Sequence, residues 1–230
     1  MVKQIIKSTM FSDKILVIEF KNPKKNNALS IKILDELLEL LSQRKIFKRS
    51  KVVVFKGFND SSFSSGADLN EISKLKRENN LSVYHNKFNK VLKTIKTLNI
   101  VKISIIKSYC IGAGLILALN TDIRIANASC TLSIPATKLG VKLPDYQIGL
   151  LLQKFPKNHL LKEVILSGRK FSSTEAYNFN ILNIVFDDEN FKNNYLKYLE
   201  NFALTDEKLM MDYFRVLYKK EWVNYVFFTE

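Results

Sequence analysis

Few residues of this 230-residue chain pair a reactive type with a suggestive setting. Gly112-Ala113-Gly114 opens a helix, and a helix start carries unpaired backbone N–H groups and the positive end of the dipole. The same small residues would equally let a helix pack closely on a strand. Asp68, directly after the small-residue loop Ser61 to Ala67, suits the fixing of that loop through backbone hydrogen bonds. Asp122 suits a structural role, and Asp145 the cap of a helix from Gln147 to Phe155. His85 falls on a helix beyond the loop and His159 on a surface helix; both read as structural or solvent-exposed. No Cys/His cluster has the spacing of a metal site. Cys110 and Cys130 sit in apolar or small-residue stretches, as buried, reduced thiols do.

These residues need a scaffold, and the apolar periodicity describes one. Lys14 to Phe20 alternates apolar and polar residues like a half-buried strand, with a turn from Pro23 to Asn27 after it. Ser30 is placed to cap a helix whose buried stripe is Leu34, Leu37, Leu38 and Leu41. Val52 to Phe55 is continuously apolar and β-branched, as a strand covered on both faces is. A polar helical stretch follows Ala67, and then Tyr84, Phe88, Val91, Leu92, Ile95 and Leu98 recur at helical spacing. Ile103 to Ile106 and Asp122 to Ala126 read as further strands. Strands alternating with helices mark a layered α/β domain with right-handed crossovers. From about Lys157 the pattern is helical; Ser172 or Ser173 can start a helix and Asn180 can end it. The aromatic-rich tail from Phe191 to Glu230 reads as a surface that packs against another subunit.

Thirty-six Lys plus Arg against 22 Asp plus Glu leave a formal charge of +14, with 47% hydrophobic residues, 7 Gly and 4 Pro. That composition excludes a disordered tail, a collagen-like fibre and a disulfide-stapled mini-domain, and the length suits one sizeable domain. The chain is crowded with Lys, Asn and Ile, so bulk basicity argues weakly for nucleic acid and better for a small polyanionic ligand. The opening residues show no secretion signal. The most apolar run, Tyr109 to Leu119, is shorter than the roughly 20 residues a membrane span needs. The expectation is a cytoplasmic protein with no membrane partner.

Three segments at matching spacing resemble the crotonase family, the enoyl-CoA hydratase/isomerase superfamily. Lys21-Asn22-Pro23-Lys24-Lys25-Asn26-Asn27-Ala28-Leu29 is similar to its N-R-P-x-x-x-N-A-L turn, with Asn22 in place of the arginine. Phe63-Ser64-Ser65-Gly66-Ala67-Asp68-Leu69 resembles its F-x-x-G-A-D-L loop. Tyr109 to Ala126 resembles G-x-x-x-G-G-G-x-E-L-A-L-A-x-D-I-R-I-A, and Lys138 to Val141 and Ser167 to Val185 extend the match over residues 10–190. The resemblance implies a crotonase-like α/β spiral of ββα units with a helical C-terminal region. Residues 1–190 would form the core and 191–230 a short helical trimerisation region, assembled as a homotrimer or homohexamer. It also implies an oxyanion hole made by the amides of Ala67 and Ala113. That hole would stabilise the enolate of an acyl thioester linked to coenzyme A or a carrier protein, the thioester being substrate and no cofactor being covalently bound. Ligand-binding positions carried over are Lys24, Lys25, Asn26, Ser65, Ala67, Asp68 and Leu69. The two lysines lie in the turn that follows the CoA phosphates in relatives.

The departures are as informative. A hydratase of this family moves protons with two glutamates, and Ile116 and Ala136 stand at their positions. Ser108 replaces a glycine, Val101 a common proline and Asn70 a frequent basic residue. The loop Leu143-Pro144-Asp145-Tyr146-Gln147-Ile148-Gly149 replaces P-G-x-G-G-T. Asp145 is the acid nearest in sequence to the implied pocket wall and Tyr146 a hydrogen-bond donor beside it. Both are therefore candidate catalytic groups alongside the capping role. The expected chemistry is isomerisation or decarboxylation rather than hydration; the alternative is an inactive binding or scaffold protein of the same fold.

Overall fold

Continuous runs of β-branched residues build the centre of the chain, described over residues 5–218 by a computed structural model. In chain order the first elements are β1 (Ile6–Ser12), β2 (Ile15–Phe20), α1 (Ile31–Ser42), α2 (Arg44–Arg49), β3 (Val52–Gly57), α3 (Leu69–Arg77) and α4 (Leu81–Thr97). Then come β4 (Val101–Ile106), β5 (Tyr109–Ile111), α5 (Ala113–Leu119), β6 (Ile123–Asn127), β7 (Thr131–Ser133) and α6 (Asp145–Lys154). The last are α7 (His159–Ser167), β8 (Lys170–Ser172), α8 (Ser173–Asn178), β9 (Ile184–Phe186), α9 (Phe191–Leu204) and α10 (Glu207–Tyr218).

The main sheet has the order β1-β2-β3-β4-β6-β9, parallel throughout except for β1, which pairs antiparallel with β2. Parallel strands are stable when helices cover both faces. On one face α1 and α4 contribute Leu34, Leu37, Phe88 and Leu92 to the larger core. On the other, Ile15, Val52, Val54 and Ile103 meet Phe191, Tyr195 and Phe214 of α9 and α10. This double cover corrects the half-buried reading of residues 14–20: β2 lies inside the sheet, and five of its six residues are buried. It also corrects the reading of the tail in part, although Tyr213 stays 61% exposed. Phe191, Tyr195 and Phe214 are buried on the chain's own sheet, while Trp222, Tyr225, Phe227 and Phe228 lie outside the described residues.

Local signals behave as their chemistry requires. Ser30 Oγ accepts the Ile33 N–H at 3.3 Å and caps α1. Ser172 and Glu175 form a reciprocal capping box at the start of α8. A second, three-stranded sheet, β5-β7-β8, stands apart from the main one, with β5 and β7 parallel and β7 and β8 antiparallel. Its strand β5 leads directly into α5. Among the described residues, no helix is long and apolar enough to cross a membrane.

Candidate functional site

Residues 63–65 run beside β5 as a short parallel partner. Phe63 N donates to Lys107 O (3.0 Å), Ser64 N to Tyr109 O (3.0 Å) and Ile111 N to Ser64 O (2.9 Å). Just beyond this ladder both chains turn with left-handed backbone, Gly66 at φ +95° and Gly112 at φ +50°. Each turn is followed by an alanine. Neither the Ala67 nor the Ala113 N–H donates to an acceptor among the described residues.

At Gly66 a side chain would not fit, whereas at Gly112, where a Cβ would meet nothing nearer than 3.9 Å, it is the positive φ that favours glycine. A Cβ on Gly66 would stand 2.8 Å from Ile111 O and 3.6 Å from the Ala113 nitrogen. A Cβ on Gly114 would stand 2.6 Å from Ser64 Cβ, so the missing methyl lets α5 close onto the loop. Ser64 is wholly buried. Its Oγ donates to Asn27 O at 2.8 Å and accepts the Gly66 N–H at 3.1 Å. Asn27, itself buried and at φ +55°, donates from Nδ2 to Ser62 O (2.6 Å) and Ser61 Oγ (3.0 Å). Its Oδ1 accepts the Asn22 N–H at 2.8 Å. A polar chain thus runs from the turn after β2 to the N–H of Gly66, one residue before Ala67.

Ala67 and Ala113 line one cavity of about 90 Å³, walled by Tyr84, His85, Ile116 and Ala136 among others. The wall is mainly apolar, and among the described residues none of its side chains is a carboxylate. Ile116 and Ala136 both face this space, where the resemblance places two glutamates in relatives.

The ligand positions read from the sequence gather at one rim. Lys25 Nζ lies 2.6 Å from Asp68 Oδ2. Ser65 N donates to Asn26 O at 2.8 Å and Ser65 Oγ to Lys25 O at 3.0 Å. Lys24 is exposed, and Leu69, 58% exposed, stands on the cavity's edge. Asp68 caps α3 by accepting the Asn70 N–H at 3.1 Å. Burial pushes its carboxyl upward, but the Lys25 hydrogen bond and charge outweigh that and hold it below the ordinary carboxylate range.

Asp145 and Tyr146 are not brought there. Asp145 is the first residue of α6, not the cap of a helix starting at Gln147. Its carboxylate is 91% exposed, with Lys142 Nζ at 4.0 Å. An acid in the first turn favours the helix dipole, and that position turns the side chain to solvent. Tyr146 is exposed as well, and neither residue lines the cavity. The residue of that loop which does is Gln147, buried, its Nε2 donating to Asn89 Oδ1 at 2.9 Å. Asp122 is structural: it accepts the Lys102 N–H at 2.9 Å and pairs with Lys102 Nζ at 3.0 Å. His159 is exposed at the start of α7. Cys110 and Cys130 are free and buried.

Sequence reasoning placed Tyr84 in the apolar stripe and read His85 as structural or solvent-exposed, whereas both line the cavity. The signal was present: positions 85, 88 and 92 share a helix face with the inward stripe. A polar ring on that face reads as a core residue until the cavity beside it is seen.

The family model described as "Enoyl-CoA hydratase/isomerase" matches residues 10–218. Among curated proteins, the chain is 30% identical over 169 residues to the human "Enoyl-CoA hydratase domain-containing protein 2, mitochondrial", covering 74% of this chain and 57% of that protein. It is 29% identical over 175 residues to a "Probable enoyl-CoA hydratase" of Bacillus subtilis, covering 76% of this chain and 67% of the relative. The chain therefore spans little more than half the length of the human relative. Among solved structures, the enoyl-CoA hydratase of Bacillus anthracis superposes with a TM-score of 0.82 at 23% identity, over 94% of this chain and 83% of that one. An enoyl-CoA hydratase/carnithine racemase of Magnetospirillum magneticum gives 0.84 at 21% identity, over 94% and 80%. At those identities the likeness speaks for the fold.

Proposed function

Because the chain belongs to the enoyl-CoA hydratase/isomerase family, we propose that it holds the carbonyl oxygen of an acyl thioester between the N–H groups of Ala67 and Ala113. The thioester is linked to coenzyme A or to a carrier protein. The observation that carries this reading is the pair of unpartnered amides on one small, mainly apolar cavity. An oxygen held there accepts two hydrogen bonds and faces the start of α5. Both interactions strengthen as negative charge moves onto it in an enolate. The apolar wall raises their worth by excluding water.

With Ile116 and Ala136 on the wall, the reading is isomerisation or decarboxylation rather than glutamate-driven hydration. Decarboxylation asks least, because the electron pair left by CO₂ itself forms the enolate. Neither reaction requires a covalently bound cofactor. Crotonyl-CoA hydration by the purified protein is accordingly expected at background in a spectrophotometric assay; a rate typical of hydratases sinks the reading of these two positions. Turnover of a 3-enoyl-CoA or a malonyl-CoA supports an enzyme. Binding without turnover supports a second reading, a binding or scaffold protein, which the absence of a carboxylate among the described lining residues favours.

Two rim lysines bear on the ligand's phosphates. Lys24 is exposed and, among the described residues, has no ion-pair partner, whereas Lys25 already serves Asp68. Lys24→Ala is expected to weaken CoA binding without moving the melting temperature. Lys25→Ala should weaken it and also loosen the cap of α3. Both losses should shrink at high salt, as calorimetric titration at two ionic strengths will read. Affinity unchanged in the double variant points to a ligand without phosphates. For assembly, the exposed Leu204, Leu209 and Leu217 of α9 and α10 form the surface we assign to a homotrimer or homohexamer.

A further inference from the structure

The cavity that carries the two amides also holds polar atoms the fold leaves unused. Both ring nitrogens of His85 and the hydroxyl of Tyr84 are buried without a hydrogen-bond partner among the described residues. Both side chains line the cavity together with Ala67 and Ala113. Their rings meet edge to face, with centroids 6.1 Å apart. Each such group, left unsatisfied, carries its full desolvation penalty into the folded state. Three at one wall are a liability for folding alone, and they become useful when a ligand enters.

We propose that His85 is the proton-transfer group of this site, the base that takes the place of the absent carboxylates. The inference rests on the reading that a thioester oxygen sits between Ala67 and Ala113. In a 3-enoyl thioester, the C2–H bond breaks and its proton passes to a ring nitrogen of His85. The electron pair becomes the C1=C2 bond of a dienolate whose oxygen lies on the two amides. The imidazolium then returns the proton to C4. As the C4–H bond forms, C2=C3 is made, C3=C4 is lost, the carbonyl is restored and His85 is neutral again. One group serves both transfers, so no second acid or base is required.

Burial lowers the affinity of His85 for a proton, which keeps the ring neutral and able to accept one at neutral pH. Burial raises the Tyr84 phenol, so that group stays protonated and serves only as a hydrogen-bond donor to the ligand or to the ring.

The test separates the two amides from the base. Absorbance of a conjugated dienoyl-CoA reports polarisation of its carbonyl by the amides. NMR of butyryl-CoA in deuterated water reports exchange of its C2 protons, which needs a base. The wild-type protein is expected to red-shift the first and exchange the second. His85→Gln should retain the red shift while exchange falls by about a hundredfold or more. Exchange within twofold of wild type in a variant that still red-shifts overturns the role of His85. A red shift without exchange in the wild type overturns it too, and leaves the amides standing. No red shift in the wild type sinks the oxyanion reading and this proposal with it. Should His85→Gln fail to fold, the wild type still decides. The chain has two histidines, and His159→Gln assigns their ring signals. The His85 signals must move on addition of butyryl-CoA, and their failure to do so overturns the proposal.

Discussion

Ala113→Pro is expected to lower turnover of any thioester the protein processes by about a hundredfold or more, with the fold retained. The substitution removes one of two donors without touching a side chain that the core needs. Ala113 is the first residue of α5, and its N–H has no acceptor among the described residues, so proline takes nothing from the fold's own hydrogen bonds. The ring carbon attached to the proline nitrogen also projects where the amide hydrogen stood, at a residue that lines the cavity. Donor and room are lost together. Steady-state kinetics beside a melting curve measure the effect. Full activity in a folded variant refutes the oxyanion assignment. Asp145→Asn is the matched control: with a carboxylate 91% exposed and outside the cavity, it should leave turnover unchanged, and a marked loss would return Asp145 to the mechanism.

The largest expected loss of stability lies one layer behind the amides, at Asn27. Its side chain serves Asn22 N, Ser62 O and Ser61 Oγ, and its backbone is left-handed at φ +55°. Alanine abandons buried partners and is strained in that conformation, for a combined cost of about 3 kcal/mol. For a chain of this size, that lowers the melting temperature by about 6–12 °C. Asn27→Gly shares the lost hydrogen bonds but not the strain, so it should melt above Asn27→Ala by a few degrees. Equal melting temperatures for the two variants remove the backbone part of the account; wild-type melting in Asn27→Ala removes the network.

Legibility in the sequence followed length and periodicity. α1 and β3 were readable because α1 repeats its apolar spacing along the helix and carries its cap at Ser30, and β3 opens on the continuous apolar run Val52 to Phe55. β1 was not, since only Ile6 of its seven residues is buried and no alternation reports a face. β5, β7, β8 and β9 are three residues each, below the span over which a period can show. The turns at Gly66 and Gly112 were legible through their small residues. What joins them was not, because the approach of Ser64 to Gly114 is made between residues fifty positions apart. Asp145 misled by its nearness in sequence to the cavity wall. Helical rotation decides which neighbour faces inward, and here it is Gln147.

A hole made of main-chain amides changes what mutagenesis can see. Positions 67 and 113 are alanine already, so an alanine scan, the usual first survey of a site, returns silence at the two residues on which binding would turn. Scanning would instead register the supports: Ser64, whose hydroxyl ties the loop, and Asn27 behind it. The same construction lets side chains around the cavity be exchanged while the electrophile's seat persists, because that seat is written in φ and ψ rather than in functional groups. Editing it cleanly calls for chemistry on the polypeptide itself. Replacing the Ala113 amide by an ester removes one hydrogen-bond donor, adds no carbon and leaves every side chain in place.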